Sequence, residues 1–252
     1  MTGLPAPPSR AHGRPAAAAA PARLDGLAVL LPCLDEEDNI SRAIAEAGAA
    51  ARRVARRFEI IVVDDGSRDA TAVIAAAVPG VRVVRHPANR GYGAAVRTGL
   101  IAARLPWVLI TDGDRQFDLR RLEALVEVCG AADVVVGRRV HIQATWPRRA
   151  QRAIWNRLAR RLLALPVRDP ECSLKLLRRD VVDPRELTCD GPAIGAELLA
   201  SALRGGARVT EVDVLQRARR AGGRPRRLSA LVRALRELTA LRDTRPRLPG
   251  TA

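Results

Sequence analysis

Lysine is nearly absent from this chain: Lys175 is the only one among 43 basic residues. Aromatic residues are equally scarce at 2%. That scarcity removes the stacking surfaces on which single-stranded nucleic acids are bound, and no nucleic-acid-binding motif is recognisable. An Arg-rich nucleic-acid module is therefore the weaker reading of a net charge of +16, and no nucleic-acid partner is expected. The four cysteines, Cys33, Cys129, Cys172 and Cys189, form no CxxC pair. They are too scattered for a zinc or disulfide framework and fit reduced cytoplasmic thiols. No apolar run approaches the roughly 20 residues of a membrane-spanning helix, and the Ala- and Pro-rich stretch 1–24 has no apolar core of signal-peptide type. A cytoplasmic protein, soluble or peripheral at the membrane face, is the expectation.

What remains suits one sizeable α/β domain. The composition divides the 252 residues into an Ala/Pro-rich tail expected to be disordered (1–24), a catalytic domain (25–216) and an Arg-rich C-terminal segment (217–252). The positive charge is clustered. Arg138 to Arg161 holds eight Arg and no acid, and Arg217 to Ala252 holds eleven against Glu237 and Asp243. Such localised basicity suits a polyanion or an anionic membrane surface, or is a solvated basic face.

From Leu27 onward, short Val/Ile/Leu runs alternate with segments of helical spacing. Leu27–Pro32, Glu59–Val63, Val81–Arg85, Trp107–Thr111 and Asp133–Val136 read as strands; Ile40 onward, Asp69–Val78, Gly93–Ala103 and Leu119–Val128 read as helices. Continuous apolar strands between helices predict a mostly parallel central sheet with helices on both faces. Ligands bind such sheets beyond the carboxyl ends of the strands. Those ends carry Asp35-Glu36-Glu37, Asp64-Asp65-Gly66-Ser67, Asp112-Gly113-Asp114 and Gly137-Arg138-Arg139.

Beyond Arg139 the alternation weakens. Trp146–Leu165 is a basic amphipathic helix with Ile154, Leu158 and Leu162 at i, i+4, i+8; it either lies in a membrane interface or packs on its own domain. Ser173–Arg178, Ile194–Leu203 and Val209–Leu215 read strand, helix, strand, and Leu228–Leu241 is weakly helical. Asp112 and Asp114, one residue apart after an apolar strand, are suited to hold a hard divalent cation shared with phosphate oxygens. Alone, such a triplet is also a common acidic turn, as Asp64-Asp65-Gly66 and Gly91-Tyr92-Gly93 are common turns.

Four segments in order narrow this: Leu31-Pro32-Cys33-Leu34-Asp35-Glu36-Glu37-Asp38-Asn39-Ile40, Val62 to Thr71 around Asp64-Asp65-Gly66-Ser67, Asn89-Arg90-Gly91-Tyr92-Gly93-Ala94-Ala95, and Thr111-Asp112-Gly113-Asp114-Arg115-Gln116-Phe117-Asp118. With them the chain, from Leu27 to Arg226, resembles the family 2 glycosyltransferases of GT-A fold, in particular the branch of dolichol-phosphate mannose synthase and the polyprenyl-phosphate glycosyltransferases.

The resemblance implies an inverting transferase that moves a sugar from a nucleotide-sugar donor to a polyprenyl or dolichyl phosphate, with Mg²⁺ or Mn²⁺ as cofactor. Transfer to a non-lipid hydroxyl and nucleotidyl transfer are the rival enzyme readings. It assigns Pro32, Asp35, Glu37, Asp65, Asn89, Gly91, Gly93 and Asp112 to the donor, and Asp112, Asp114 and Gln116 to the cation. Gly137-Arg138 matches the family's Gly-x-Arg region, with Arg138 reaching phosphate. Asp169 leads a segment resembling the family's Asp-x-x-Cys-Gly-Phe-Lys, ending at Lys175, where Ser173 and Leu174 depart from the pattern. Asp169 would orient the acceptor or its counter-charges, or act as base toward a hydroxyl. Glu197 is either a site residue or a helix-surface glutamate. Arg220 and Arg226 belong to a stretch resembling the family's Arg/Gly/Ser/Lys loop. The acceptor reading adds an anionic membrane surface as partner and leaves room for a membrane-embedded partner protein.

Overall fold

The computed structural model describes residues 23–140, 146–217 and 228–243. Seven strands form one sheet: β1 (Leu27–Cys33), β2 (Phe58–Asp64), β3 (Val81–Arg85), β4 (Trp107–Ile110), β5 (Val134–Val140), β6 (Lys175–Arg178) and β7 (Val209–Leu215). Their order is β3-β2-β1-β4-β6-β5-β7. Every neighbouring pair is parallel except the two that β6 makes, with β4 and with β5. All of β1 is buried, as its unbroken apolar run requires when both sheet faces are covered.

Both faces are indeed covered. Helix α1 (Ile40–Val54) buries Ile40, Ala43, Ile44, Ala47, Ala51 and Val54 at spacings of three and four. Its Gly48 abuts Ile60 of β2, whereas Gly99 of α3 (Tyr92–Ala102) abuts Leu30 of β1 so closely that a Cβ would overlap it. Ile60 is registered with Val29, not with Leu30. Since successive strand residues face opposite sides, α1 and α3 lie on opposite faces. Helices α2 (Thr71–Ala76), α4 (Leu122–Val126), α5 (Trp146–Leu163), α6 (Ile194–Arg204) and α7 (Leu228–Asp243) complete the fold.

The reversed strand decides where the site can be. Ile110, the last residue of β4, pairs with Lys175, the first of β6. The residues leading into β6 therefore lie at the edge where β1, β2, β4 and β5 end, so Asp169–Ser173 and Asp112–Asp114 share one rim.

Several boundaries differ from the sequence expectation. Leu24, assigned to the N-terminal tail, is buried and bridges Ala55. The helix expected over Leu119–Val128 is a 3₁₀ turn, Leu119–Arg121, followed by the short α4. In the Arg-rich C-terminal segment, α7 buries Ala234, Leu238 and Leu241 on the domain, so this part is built into the same body. The expected disordered tail, residues 1–22, lies outside the described residues.

Helix α5 combines both of its expected faces. Its inner side buries Asn156, Ala159 and Leu163, while Trp155, Leu158 and Leu162 are half-buried. Ile154 was expected on that apolar stripe but is 69% exposed, and Trp146 is 79% exposed. The inner face is offset from the apolar stripe because Asn156 turns inward to bond Asp169 at 2.7 Å. Among the described residues no helix is long and apolar enough to cross a membrane.

Candidate active site

The loops after β1 and β2 are laced together. Asp35 lies in the left-handed region at φ 53°, donates its N–H to Ser67 Oγ (2.9 Å) and accepts from Arg68 N through Oδ1 (2.9 Å). Glu37 donates its N–H to Asp69 Oδ2 and accepts from Ala70 N through Oε2 (3.0 Å). Pro32 is buried at the end of β1. These residues give the rim its shape, with Asp35 half-buried and Glu37 exposed.

Asp65 is the hub of the next loop. Its Oδ1 meets Arg90 N (2.9 Å) and His86 Nδ1 (2.7 Å), and its Oδ2 accepts from Gly91 N (2.8 Å). His86 in turn meets Thr98 Oγ1 at 2.9 Å. Expected to reach the donor, Asp65 is instead 4% exposed and builds the Gly-rich turn from within. The glycines of that turn differ from expectation as well. A Cβ on Gly91 would sit 2.3 Å from the Asp190 carbonyl, and one on Gly93 2.4 Å from that of Cys189. Gly93 N donates to Asp190 O (2.8 Å). The missing side chains admit the chain's own backbone at 189–190, and the amides of Gly93, Ala94 and Ala95 are already bonded. Asn89 is exposed beside the turn.

Asp112 joins two parts of the site. Its Oδ1 accepts from Tyr92 Oη at the start of α3 (3.1 Å), and its Oδ2 from Ser173 Oγ (2.5 Å) in the segment before β6. Asp114 is 8% exposed and its Oδ1 accepts from Gln116 N (3.1 Å). Between them Arg115 takes the left-handed conformation, φ 60°, anchored by its ion pair with Glu46 of α1. A bulky residue there costs on the order of 1 kcal/mol, a strain typical of ligand-holding turns. Gln116 Oε1 faces Gln216 Nε2 at 3.4 Å. Among the described residues no three His, Cys, Asp or Glu side chains gather as a metal cage. Two carboxylates and a carboxamide on this rim are the ligand types that suit a hard cation taking its remaining ligands from phosphate and water.

On the other side of the rim, Asp169 is 5% exposed and held by Arg139 Nε and Nη2, each at 2.7 Å, by Arg139 N and by Asn156. Burial alone would raise its pKa, but the bonds from Arg139 and Asn156 outweigh it and the carboxyl lies below its usual range. Arg152 stands near: its pKa is lowered by partial burial and by repulsion from Arg139. Arg138 faces the other way, pairing with Asp213 of β7 at 2.5 and 2.7 Å. The guanidinium beside Asp169 is therefore that of Arg139, one residue on from the expected Arg138 and on the opposite face of the strand. Lys175 is buried, donates to the Cys172 carbonyl, and has its pKa lowered by burial. Glu197 is neither outward nor at the helix surface: its carboxylate accepts from Thr188 N, Thr188 Oγ1 and Cys189 N. Arg220 and Arg226 lie outside the described residues.

Four contributors were not foreseen: Arg139, Asn156, His86 and Asp190. Asn156 had a signal, being the one uncharged amide three and seven residues before the buried Ala159 and Leu163.

Residues 28–185 match the model of glycosyl transferase family 2. An uncharacterized glycosyltransferase of Mycobacterium tuberculosis is 34% identical over 194 residues, 75% of this chain and 84% of its own length. An undecaprenyl-phosphate 4-deoxy-4-formamido-L-arabinose transferase of Serratia proteamaculans is 28% identical over 87% of this chain and 68% of its own. Among solved structures, glucosyl-3-phosphoglycerate synthase of M. tuberculosis, in complex with Mn²⁺, UDP and glucosyl-3-phosphoglycerate, superposes with a TM-score of 0.67 over 88% of this chain and 82% of that one, at 22% identity. The sheet is thus that of the GT-A fold, with its charged rim where such sheets bind ligands, and the chain is a glycosyltransferase belonging to glycosyl transferase family 2.

Proposed function

We propose that this enzyme transfers a sugar, with inversion, from a nucleoside diphosphate sugar to a polyprenyl phosphate at an anionic membrane surface. The observation that carries the acceptor is the state of Asp169. A hydroxyl nucleophile needs a base, yet this carboxylate is saturated by Arg139 and Asn156 and its pKa is lowered. It serves as the counter-charge that orients Arg139. A phosphate monoester, whose second pKa is about 6, is already an anionic nucleophile at neutral pH. Arg139 and Arg152 offer it paired positive charge beside the acceptor segment. The undecaprenyl-phosphate transferases among the relatives support the same choice.

Chemically, a phosphate oxygen attacks the anomeric carbon as the bond from that carbon to the diphosphate breaks. The nucleoside diphosphate leaves with the bonding electrons, and no proton need move. A cation held by Asp112, Asp114 and Gln116 would neutralise the charge gathering on the leaving group. Asp112, tied to both Tyr92 and Ser173, keeps the donor turn and the acceptor segment in register.

Membrane contact falls to the outer face of α5, where exposed Arg149, Arg157, Arg160 and Arg161 surround Trp146 and Ile154. Each Arg near an anionic bilayer contributes about 1 kcal/mol, and the apolar pair adds a part that salt does not screen. The test is nucleoside diphosphate release from a panel of nucleotide sugars with Mn²⁺ or Mg²⁺, with and without polyprenyl phosphate in anionic vesicles. Release that requires the lipid phosphate, and that falls on Arg157→Glu/Arg160→Glu/Arg161→Glu along with vesicle sedimentation, is the expected result. Transfer to soluble hydroxyl acceptors alone would overturn the lipid assignment.

Asp65→Ala is expected to raise the donor KM about tenfold or more while changing kcat little, since it frees the Gly91 turn and leaves His86 Nδ1 without its partner. An unchanged donor KM would remove that turn from donor binding.

A further inference from the structure

Helix α7 lies beyond the stretch that matches the family model, yet it reaches the donor turn. Glu237 Oε1 accepts from Gly191 N at 2.8 Å and from Arg233 Nε at 3.1 Å. Arg233 Nη2 stands 3.5 Å from Asp190 Oδ2, and the other Asp190 oxygen takes Arg97 of α3 at 2.5 Å. The carbonyl of Asp190 receives the N–H groups of Gly93 and Ala94. Gly191 packs directly on the Glu237 carboxylate, which a Cβ there would have to displace, falling 2.6 Å from Oε2. The short turn 189–191 is thus gripped by α7 on one side and carries the Gly91–Gly93 turn on the other.

The docking of α7 itself does not require this carboxylate. Ala234, Leu238 and Leu241 bury its apolar face, and Glu237 is a polar addition aimed at one backbone amide. Hydrogen bonds that a carboxylate accepts from backbone N–H groups are strong and directional, so the bond fixes the position of the turn more than the attachment of the helix. We propose that Glu237 is a positioning residue for the donor: with Arg233 it sets Asp190 and Gly191, and through them the shape of the Gly91–Gly93 turn that borders the nucleoside diphosphate site. This rests on the reading that the donor binds at this rim.

The test uses full-length protein and calorimetric titration with UDP and with GDP in the presence of Mn²⁺, followed with whichever the unmodified protein binds more tightly. Glu237→Ala is expected to weaken binding about tenfold and to leave kcat at saturating donor within about twofold. Glu237→Gln keeps an acceptor for Gly191 N and is expected to restore most of the affinity, which a general loss of stability would not allow. Equal affinity of Glu237→Ala and the unmodified protein overturns the proposal, as does a Gln variant no better than Ala, or a fall in kcat alone. Failure of the unmodified protein to bind either nucleotide overturns the donor-site reading itself, and the role of Glu237 with it.

Discussion

Asp114→Asn is expected to lower sugar transfer at saturating donor by about a thousandfold, the rate equivalent of the several kcal/mol that a bound cation contributes to a charged transition state. The substitution is nearly isosteric. The bond from Gln116 N to Asp114 Oδ1 survives in the amide, and the left-handed Arg115 stays anchored to Glu46. Folding should be preserved, with a melting temperature close to that of the parent. The loss should be accompanied by a higher Mn²⁺ requirement, because a neutral amide oxygen is a poorer ligand for a hard cation. Chelation of the parent should reproduce the defect, and added cation should reverse it. Turnover of the variant at the parental rate would remove Asp114 from cation binding.

The second large effect is expected at the buried pair of Arg139 and Asp169. Their side chains are 13% and 7% exposed. Removing one partner of such a pair leaves the other charge buried without compensation, at a cost of about 3–5 kcal/mol. Arg139→Met should therefore lower the melting temperature by roughly 10 °C, read by calorimetry. Asp169→Leu should do the same, whereas the double variant should recover much of the stability because both charges are gone. Transfer to lipid phosphate should stay lost in all three, since none retains the oriented guanidinium. A double variant no more stable than the singles would mean that the pair does not act as one unit. Because the Asp169 carboxyl is held below its ordinary range, its contribution is complete above the pKa of the unfolded chain and disappears as pH falls through the lowered folded value. Acid unfolding of the parent should accordingly be steeper than that of the double variant.

The strands were readable because apolar runs declare burial on both sheet faces, and their order along the chain followed. The direction of β6 was not readable: Lys175–Arg178 has the same pattern whichever way it runs. The choice between Arg138 and Arg139 was legible in the spacing, because Gly-x-Arg counted from Gly137 ends on Arg139, while the pairing with β7 shows why the two arginines face opposite sides. Gly91 and Gly93 announced a tight turn, but what crowds them comes from Cys189 and Asp190, about a hundred residues later. Asp65 carried the motif's acidic character without revealing that its oxygens bond Arg90, Gly91 and His86. Local chemistry was legible, and long-range approach was not.

The reversed strand also sets an order of events as the chain is made. By residue 110 the sub-sheet β3-β2-β1-β4 has all its strands, whereas β5 and β7 pair with each other and reach that sub-sheet only through β6. At synthesis rates of about 5–20 residues per second, the edge of β4 waits several seconds for its partner, long enough for chaperones to cover it. In the finished protein the same four residues are the seam between two halves. Were amides of β6 to exchange with solvent ahead of those in β1, the halves would be parting there, separating Asp112 from Arg139 while each sub-sheet stayed folded.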